Sequence, residues 1–196
     1  MRLHRAIVIG ITGTPSSGKS RLAAIIADEL TGSRVIEIGD IVRRPGFHTS
    51  YDRKDRSYVA DMRKLKRFLD AESNKGGTLI IVGHMLQDIG VGTDLTIVVR
   101  APLEDLYDRM SRRGYPRGKI RENISAEMSD YCGETARNNG MKAFEVYSKT
   151  DKKRVIALVR RMHAQQGKLG KMPRPNVRSR GAEFEKFVMA HPELGL

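Results

Sequence analysis

The feature that most constrains this chain is the segment Gly13-Thr14-Pro15-Ser16-Ser17-Gly18-Lys19-Ser20, which fits the pattern G-x-x-x-x-G-K-[ST]. An apolar run from Ala6 to Ile11 precedes it and is typical of a buried strand. The residues from Arg21 to Leu30 follow it, with apolar side chains at helical spacing. Because strand, glycine loop and helix come in this order, the pattern predicts a phosphate-binding loop, the alternative being an accidental match in a turn rich in glycine and serine.

Two residues at the end of this segment carry the chemistry expected of such a loop. Lys19 is expected to reach the β- and γ-phosphates of a nucleoside triphosphate, because a lysine at this place neutralises their charge. The hydroxyl of Ser20 is expected to help hold Mg²⁺. ATP and Mg²⁺ are therefore the predicted cofactors.

Length and composition predict one α/β domain without a membrane segment. The chain has 196 residues, 39% of them hydrophobic, which is enough for one sizeable core. No apolar run is long enough to span a membrane, and Met1-Arg2 leads almost directly into the first strand without a signal region. The single cysteine, Cys132, is typical of a reducing compartment. We therefore expect a cytoplasmic protein, or a nuclear one if the source is eukaryotic.

Positive charge is concentrated toward the C-terminus. The net charge of +13 divides into +6 for residues 1–70, −1 for 71–140 and +8 for 141–196. From Lys149 to Arg180 there are eleven basic residues and one acid, Asp151. A block of this kind is either a solvated tail or a surface that binds nucleic acid, and the sequence leaves both alternatives open.

The order of apolar runs predicts strands that alternate with helices, and hence a parallel sheet with right-handed crossovers. Residues 41–58 are polar, contain Pro45 and Gly46, and are expected to form a mobile excursion at the carboxyl edge of the sheet. Asn138-Asn139-Gly140 is expected to end a helix. Further strands are predicted at 34–38, 78–82, 95–99 and 143–147, and further helices at 58–69, 102–110, 119–138, 151–162 and 182–190.

The remaining motifs favour a small kinase over a GTPase. A GTPase should carry D-x-x-G after a core strand, and none stands there in this sequence. Ser148-Lys149-Thr150-Asp151 only faintly resembles the motif by which GTPases recognise guanine. A small kinase needs an acceptor site, a catalytic wall after the third strand and a basic lid. The candidate acceptor site is residues 41–58, the candidate catalytic wall is Gly83-His84, and the candidate lid is the loop 113–119. Arg113 is the candidate lid arginine, although an ordinary solvated arginine is the alternative.

These motifs together resemble one known family, the adenylate kinase isoenzyme 6 group with its archaeal adenylate kinases, over roughly residues 6–162. The resemblance rests on the phosphate loop, Ile38-Gly39-Asp40, Gly76-Gly77, Gly83-His84, Arg112-Arg113-Gly114-Tyr115 and Glu122-Asn123-Ile124 with Glu127. It implies a three-layer αβα fold with a five-stranded parallel sheet in the order 2-3-1-4-5, a short monophosphate-binding insertion and a short lid.

The resemblance also implies an activity and partners. Family members convert ATP and AMP to two ADP, hydrolyse ATP, and take part in maturation of the small ribosomal subunit with one of its proteins. For this chain it therefore implies AMP or another nucleoside monophosphate as substrate, and a small-subunit ribosomal protein and rRNA as partners.

Individual site residues follow from the same resemblance. The expected catalytic residues are Lys19, His84 and Arg113. The monophosphate segment, 36–58, is expected to bind its substrate through Asp40 and Arg43, and the lid to span 113–123. The ATP-binding positions are Gly13, Ser16, Gly18, Lys19, Ser20, Arg21 and Arg113.

The chain departs from the family at two positions. An acid usually stands just before Gly-His and orients Mg²⁺ through its waters, but Val82 stands there in this chain. Asp40 and Asp88 are the candidates to replace it. Ser16 stands where the loop usually has a glycine, which is a mild change if the backbone angle φ of Ser16 is negative.

A second function class is an RNA- or ribosome-binding assembly factor that uses ATP as a switch and has little kinase activity. The basic block supports this alternative, because neutralised phosphates dominate affinity for nucleic acid. No recognised RNA-binding module is present in the sequence. We expect a kinase domain over 1–163 and a flexible basic C-terminal extension over 164–196.

Overall fold

The computed structural model describes residues 5–147, 150–167 and 180–196. Its strands are β1 (Ile7–Thr12), β2 (Arg34–Glu37), β3 (His48–Asp52), β4 (Ser57–Ala60), β5 (Thr78–Val82), β6 (Leu95–Arg100) and β7 (Ala143–Tyr147). Its helices are α1 (Lys19–Glu29), α2 (Ile38–Val42), α3 (Met62–Ser73), α4 (Leu86–Ile89), α5 (Leu103–Arg112), α6 (Arg117–Met128), α7 (Tyr131–Asn138), α8 (Lys152–Ala164) and α9 (Gly181–Ala190).

The main sheet has five parallel strands in the order β2-β5-β1-β6-β7. Strands β3 and β4 form a separate antiparallel hairpin, so the sheet strands, counted by themselves, run 2-3-1-4-5. The predicted order is confirmed. β5 and β6 are buried along their whole lengths, as expected of apolar strands that are covered on both faces.

Helices cover both faces of the sheet and make three layers. On one face, α1 and α8 pack through Leu22, Ile26, Val155 and Val159 onto β-strand residues that include Val82. On the other face, α2, α3 and α4 pack onto residues that include Ile81. A third apolar cluster lies between α5, α6 and α9. The predicted three-layer α/β fold is confirmed.

The excursion expected over residues 41–58 contains regular structure that the sequence did not predict, and its mobility stays a prediction. Helix α2 ends at Val42, and the β3–β4 hairpin occupies most of the rest, with Tyr51 opposite Tyr58 and their ring centroids 5.0 Å apart. The hairpin strands are largely exposed, so they lack the apolar alternation by which a strand is recognised. The next helix begins at Met62 rather than near Tyr58, because Asp61 accepts a capping hydrogen bond from the Lys64 amide at 3.0 Å.

The single helix expected over 119–138 is also wrong, because the chain breaks at Asp130 between α6 and α7. Asp130 has a φ of +53°, a left-handed conformation that aspartate tolerates better than most residues. Its carboxylate pairs with both Arg100 and Arg137. These partners come from β6 and from α7, so sequence periodicity within the helix does not reveal the break. The predicted cap after α7 is confirmed by the φ of +71° at Gly140.

The helix predicted near the C-terminus is confirmed as α9, and it packs against α5. Phe187 and Leu194 are buried in the cluster that α9 shares with α5 and α6.

The division of the chain into a domain over 1–163 and an extension over 164–196 stays a prediction. Much of the predicted basic extension, 168–179, lies outside the described residues, as does the Ser148-Lys149 part of the guanine-reader resemblance. Within the described ranges, no helix is long and apolar enough to cross a membrane.

Candidate active site

The loop between β1 and α1 depends on two glycines with positive φ. Gly13 has a φ of +135°, and a Cβ added there would lie 2.2 Å from the carbonyl oxygen of Val99. Gly18 has a φ of +104° and directly precedes α1. Backbone N–H groups at the start of α1 are therefore available to an anion held in the loop.

Ser16 would be a mild change from glycine only if its φ were negative, but its φ is +69°. A non-glycine residue in this region costs about 1–2 kcal/mol. Two arginines hold the serine in place: Arg109 Nη1 donates to its carbonyl oxygen at 3.0 Å, and Arg113 Nη1 donates to its hydroxyl at 3.2 Å. A glycine could not make the second contact. Ser16 therefore links the loop to the end of α5.

Lys19 lies across the loop at the start of α1. Its Nζ donates to the carbonyl oxygens of Gly13 at 2.8 Å and Thr14 at 2.9 Å. Burial lowers the pKa of Lys19 to about 8, although the negative charges of Glu37 and Glu127 act in the opposite direction. A bound phosphate would add negative charge and favour the protonated amine. Ser20 and Arg21 follow on the exposed first turn of α1.

His84 stands just beyond β5, at the carboxyl edge of the sheet where the phosphate loop also lies. The pKa of His84 is lowered, first because neighbouring atoms desolvate the imidazole and then because Lys19 and Lys119 are positively charged. The imidazole remains exposed on one side, and the shift leaves it neutral at pH 7. His84 can therefore offer one donor and one acceptor to a ligand in the cleft.

Glu37 is a carboxylate in strand register with the place where the family has its acid. Val82 is fully buried, and in the parallel pair of β2 and β5 it is in register with Glu37. Ile36 and Ile81 face α2, α3 and α4, whereas Val82 faces α1. Because side chains alternate along a strand, Glu37 shares the α1 face with Val82, about 4.8 Å away across the sheet. The effect of Glu37 on the pKa of Lys19 agrees with this placement.

The two carboxylates proposed from the sequence to replace that acid have other partners. Asp40 is exposed on α2 and pairs with Arg43 at 2.8 Å. Asp88 accepts a hydrogen bond from the Tyr131 hydroxyl at 2.9 Å and one from Gln87 Nε2 at 2.9 Å. Glu37 fits the role better than either of them.

The start of α6 approaches the hairpin from the other side of the site. Lys119 Nζ donates to the Asp55 carbonyl oxygen at 3.3 Å and to the Ser57 hydroxyl at 3.1 Å. The hairpin follows β2, and α6 follows Arg113, so this contact joins the predicted monophosphate segment to the predicted lid. The predicted lid thus contacts the phosphate loop through Arg113 and the hairpin through Lys119.

Comparisons with known proteins decide the family. A family model described as AAA domain matches residues 9–130. A protein of Methanocaldococcus jannaschii named "Putative adenylate kinase" is 38% identical over 124 residues, which are 63% of this chain and 68% of the relative. The "Adenylate kinase isoenzyme 6 homolog" of Schizosaccharomyces pombe is 36% identical over 132 residues, 66% of this chain and 73% of the relative. The chain belongs to the adenylate kinase isoenzyme 6 family. The resemblance found in the sequence is confirmed.

Two solved structures from outside the family share the fold of this chain. The tunicamycin resistance protein of Deinococcus radiodurans has a TM-score of 0.53 at 22% identity and covers 86% of this chain and 100% of its own. Deoxyadenosine kinase from M. mycoides, solved with bound dATP, has a TM-score of 0.52 at 16% identity and covers 81% of this chain and 99% of its own. At these identities the likeness concerns the fold alone.

The structure brings most of the predicted site residues of this family member together. Arg113 contacts Ser16, and the charge of Lys19 acts on His84. Asp40 on α2 and Arg43 just after it form an exposed ion pair, and no contact between this pair and the loop residues is observed among the described residues. Gly13, Ser16, Gly18, Lys19, Ser20 and Arg21 lie on the loop and the first turn of α1. The individual roles of all these residues stay predictions.

Sequence reasoning missed several side chains that hold the site. Arg109 lies four residues before Arg113 on the same helix, and that spacing is a signal which could have found it. Gln87 is fully buried and accepts from the Thr12 hydroxyl at 2.6 Å. Glu37 can be linked to the site only through its strand register with Val82. Arg180 can be linked to it only through its contact with Glu127, which is 53 residues away along the chain.

Proposed function

We propose that this protein is a nucleoside monophosphate kinase that transfers the γ-phosphoryl group of ATP to AMP, giving two ADP. The observation that carries the proposal is the glycine loop with Lys19 across it and Arg109 and Arg113 bound to its middle residue. Phosphoryl transfer needs little more than positioning and charge neutralisation, and these cations can supply both. The names of the relatives and the family membership support the same activity.

Each side chain has a defined task in this proposal. The loop N–H groups and Lys19 bind the β- and γ-phosphates, and Lys19 leaves the Gly13 and Thr14 carbonyls to do so. Arg113 neutralises charge that develops on the transferred group, and Arg109 holds the loop. Arg43, exposed beside Asp40, receives the phosphate of the acceptor, and neutral His84 positions a reacting group at the strand end.

The residues present fit Mg²⁺, the metal that such a reaction requires. Among residues 5–147, 150–167 and 180–196, no group of three or more His, Cys, Asp or Glu side chains could hold a metal by itself. Mg²⁺ does not need such a group, since it keeps several waters and binds one or two protein oxygens together with substrate phosphates. Ser20 and Glu37 would hold it. When bound, the ion would neutralise negative charge on the phosphates.

An assay with a panel of acceptors tests the proposal. ATP and Mg²⁺ are incubated with the protein and AMP, CMP, GMP or UMP, and formation of the matching diphosphate is measured, which in the AMP reaction is the ADP formed in excess over inorganic phosphate. We expect a diphosphate to form with AMP at the highest rate. If none of the monophosphates gives a diphosphate, the kinase proposal is wrong. Met189→Ala, which changes an 83% exposed side chain, serves as the control.

The second candidate function is that of a ribosome-assembly factor with ATPase activity, which binds rRNA and a small-subunit ribosomal protein. The basic exposed side of α8 supports it. Five residues of this helix are exposed and positively charged: Lys152, Lys153, Arg154, Arg160 and Arg161. Phosphates of RNA bind such a surface in a salt-dependent way.

Affinity for small-subunit rRNA at two salt concentrations tests this second function. One variant replaces Lys152, Lys153 and Arg161 of α8 by glutamine, and a second replaces Lys168, Lys171, Arg174 and Arg178. Substitution is better than deleting the tail, because residues 180–196 pack on the domain. Each lost phosphate contact should reduce the salt slope by about one. Unchanged affinity and slope would remove these residues from RNA binding.

A further inference from the structure

Glu127 is a buried carboxylate directly beneath the phosphate loop. Only 1% of its surface is exposed, and its Oε2 accepts a hydrogen bond from the Thr14 hydroxyl at 2.5 Å. Its Oε1 accepts one from Arg180 Nη1 at 2.7 Å, and Arg100 Nε lies 3.3 Å from the same oxygen. One carboxylate therefore joins a residue of the loop to a residue near the C-terminus.

Arg180 is fixed by more than this one bond. Its side chain is 8% exposed, Nη2 donates to the Ala101 carbonyl oxygen at 2.9 Å, and Nε donates to Glu183 at 3.0 Å. Glu183 also accepts from the backbone N–H of Leu103 at 2.9 Å, at the start of α5. The guanidinium thus binds the end of β6, α6 and α9 together.

Apolar contacts keep this segment in place. Phe187 is 1% exposed and Leu194 is 3% exposed, and both pack with Leu106 and Ile124 of α5 and α6. Burial of these two apolar side chains stabilises the attachment of α9. Arg180 is therefore held where it meets Glu127 by apolar packing as well as by its ion pairs.

Charge balance explains why the arginine matters to a phosphate site. Glu127, Asp130, Glu145 and Glu183 bring four negative charges to this network of ion pairs, and Arg100, Arg137 and Arg180 bring three positive ones. Without Arg180 the network would lose one of its three positive charges, and Glu127, next to Thr14, would keep only Arg100 as a partner. Buried charges that lose one partner are strongly unfavourable, and the excess charge would also repel the phosphates of ATP.

We propose that Arg180 is a positioning residue of the phosphate loop: it holds Glu127, and Glu127 holds Thr14, so that the C-terminal segment 180–196 is part of the nucleotide site. The part of the proposal that concerns ATP rests on the proposed function. The part that concerns the loop does not, because it rests on contacts between side chains of the chain itself.

Amide hydrogen exchange without nucleotide tests the loop directly. Arg180→Ala should speed exchange in peptides that cover residues 12–19 by about tenfold. The matched control is Lys186→Ala, which removes an exposed positive charge from the same helix and should leave these peptides unchanged. If Arg180→Ala changes only residues 180–196, or if both variants have the same effect, the relay is wrong. Arg180→Lys keeps the charge but cannot make all the hydrogen bonds, so its exchange rate in these peptides should lie between those of the wild type and Arg180→Ala. This variant replaces Arg180→Ala in the test if the alanine variant fails to fold.

A double-mutant cycle for ATP affinity then tests the link through Thr14. Arg180→Ala should weaken ATP binding by about tenfold or more in the wild-type background. In a Thr14→Val background, which already lacks the hydroxyl, the added loss should be at most about threefold. Equal losses in both backgrounds would contradict a relay through Thr14. If the wild type itself does not bind ATP, the proposed function fails, while the exchange experiment still decides the relay.

Discussion

Residues 7–29 and residues 100–196 contribute to the same phosphate loop in different ways. The first region sets the path of the backbone by local means, with β1, two positive-φ glycines and the start of α1 in direct succession. The second region supplies the side chains that hold the path. Arg109 and Arg113 hold Ser16, and Glu127 with Arg180 holds Thr14. A short local motif therefore defines the path of the loop, whereas residues distant in the sequence supply the contacts that hold it.

The largest expected effect comes from the local region. Lys19→Ala removes the only side chain of the loop motif that carries charge, so it should lower kcat/KM by about 10²- to 10³-fold. Steady-state kinetics measure the loss, and circular dichroism checks that the fold is kept. Arg160→Ala, which changes an exposed arginine of α8, should leave the rate unchanged. A Lys19→Ala enzyme with a normal rate would show that the motif does not act on ATP.

The backbone of the local region can be broken without touching a charge. Gly13→Ala places a Cβ 2.2 Å from the Val99 carbonyl oxygen and should lower the free energy of unfolding by about 3 kcal/mol or more. Gly32→Ala is the matched control, because Gly32 also has a positive φ but an added Cβ would meet nothing within 4 Å. Its cost should be about 1 kcal/mol. Equal losses in urea unfolding would mean that φ, and not the close contact, explains the need for Gly13.

Glu37 on β2 is proposed to take the place of the acid that the family has where Val82 ends β5. Glu37→Gln should raise the Mg²⁺ concentration for half-maximal activity by about tenfold. It should weaken Mn²⁺ binding in the presence of a non-hydrolysable ATP analogue to a similar extent, which electron paramagnetic resonance measures. Asp40→Asn, which removes an exposed carboxylate of α2, is the control.

A rescue experiment separates metal handling from mere damage. Val82→Asp in the Glu37→Gln background returns a carboxylate to the α1 face of the neighbouring strand. Recovery of Mn²⁺ affinity would support Glu37 as the substitute. If Glu37→Gln binds Mn²⁺ as the wild type does, the carboxylate has no part in metal binding.

The smallest expected effect concerns pH. Burial lowers the pKa of Lys19 to about 8, and phosphates bind the charged amine, so ATP affinity should fall as the pH rises above 8, approaching tenfold per pH unit. Calorimetry at pH 8 in buffers of different ionisation enthalpy should show proton uptake on binding. Lys19→Arg stays charged and should give a flat profile above pH 8. A sloping profile in that variant would assign the titration to another group.

The same division between local and distant contacts explains what could be predicted from the sequence. The strands β1, β5 and β6 were predictable because each is an apolar run buried on both faces. The β3–β4 hairpin was missed because it is exposed and lacks apolar alternation. The break at Asp130 was missed because its ion pairs join residues that are distant in the sequence.

Within the site, the loop and Arg113 were predictable because local motifs mark them. The φ of Ser16, the register of Glu37 with Val82 and the bond from Arg180 to Glu127 depend on tertiary packing. A single sequence carries no local signal for any of these three features.

The measurement that most directly tests the central claim, phosphoryl transfer to a monophosphate, is ³¹P nuclear magnetic resonance of the protein with ATP, Mg²⁺ and AMP. We predict that two ADP form for each ATP consumed, with little inorganic phosphate, and that the rate depends on AMP. Equal amounts of ADP and inorganic phosphate, formed at the same rate with and without AMP, would contradict the kinase and identify an ATPase.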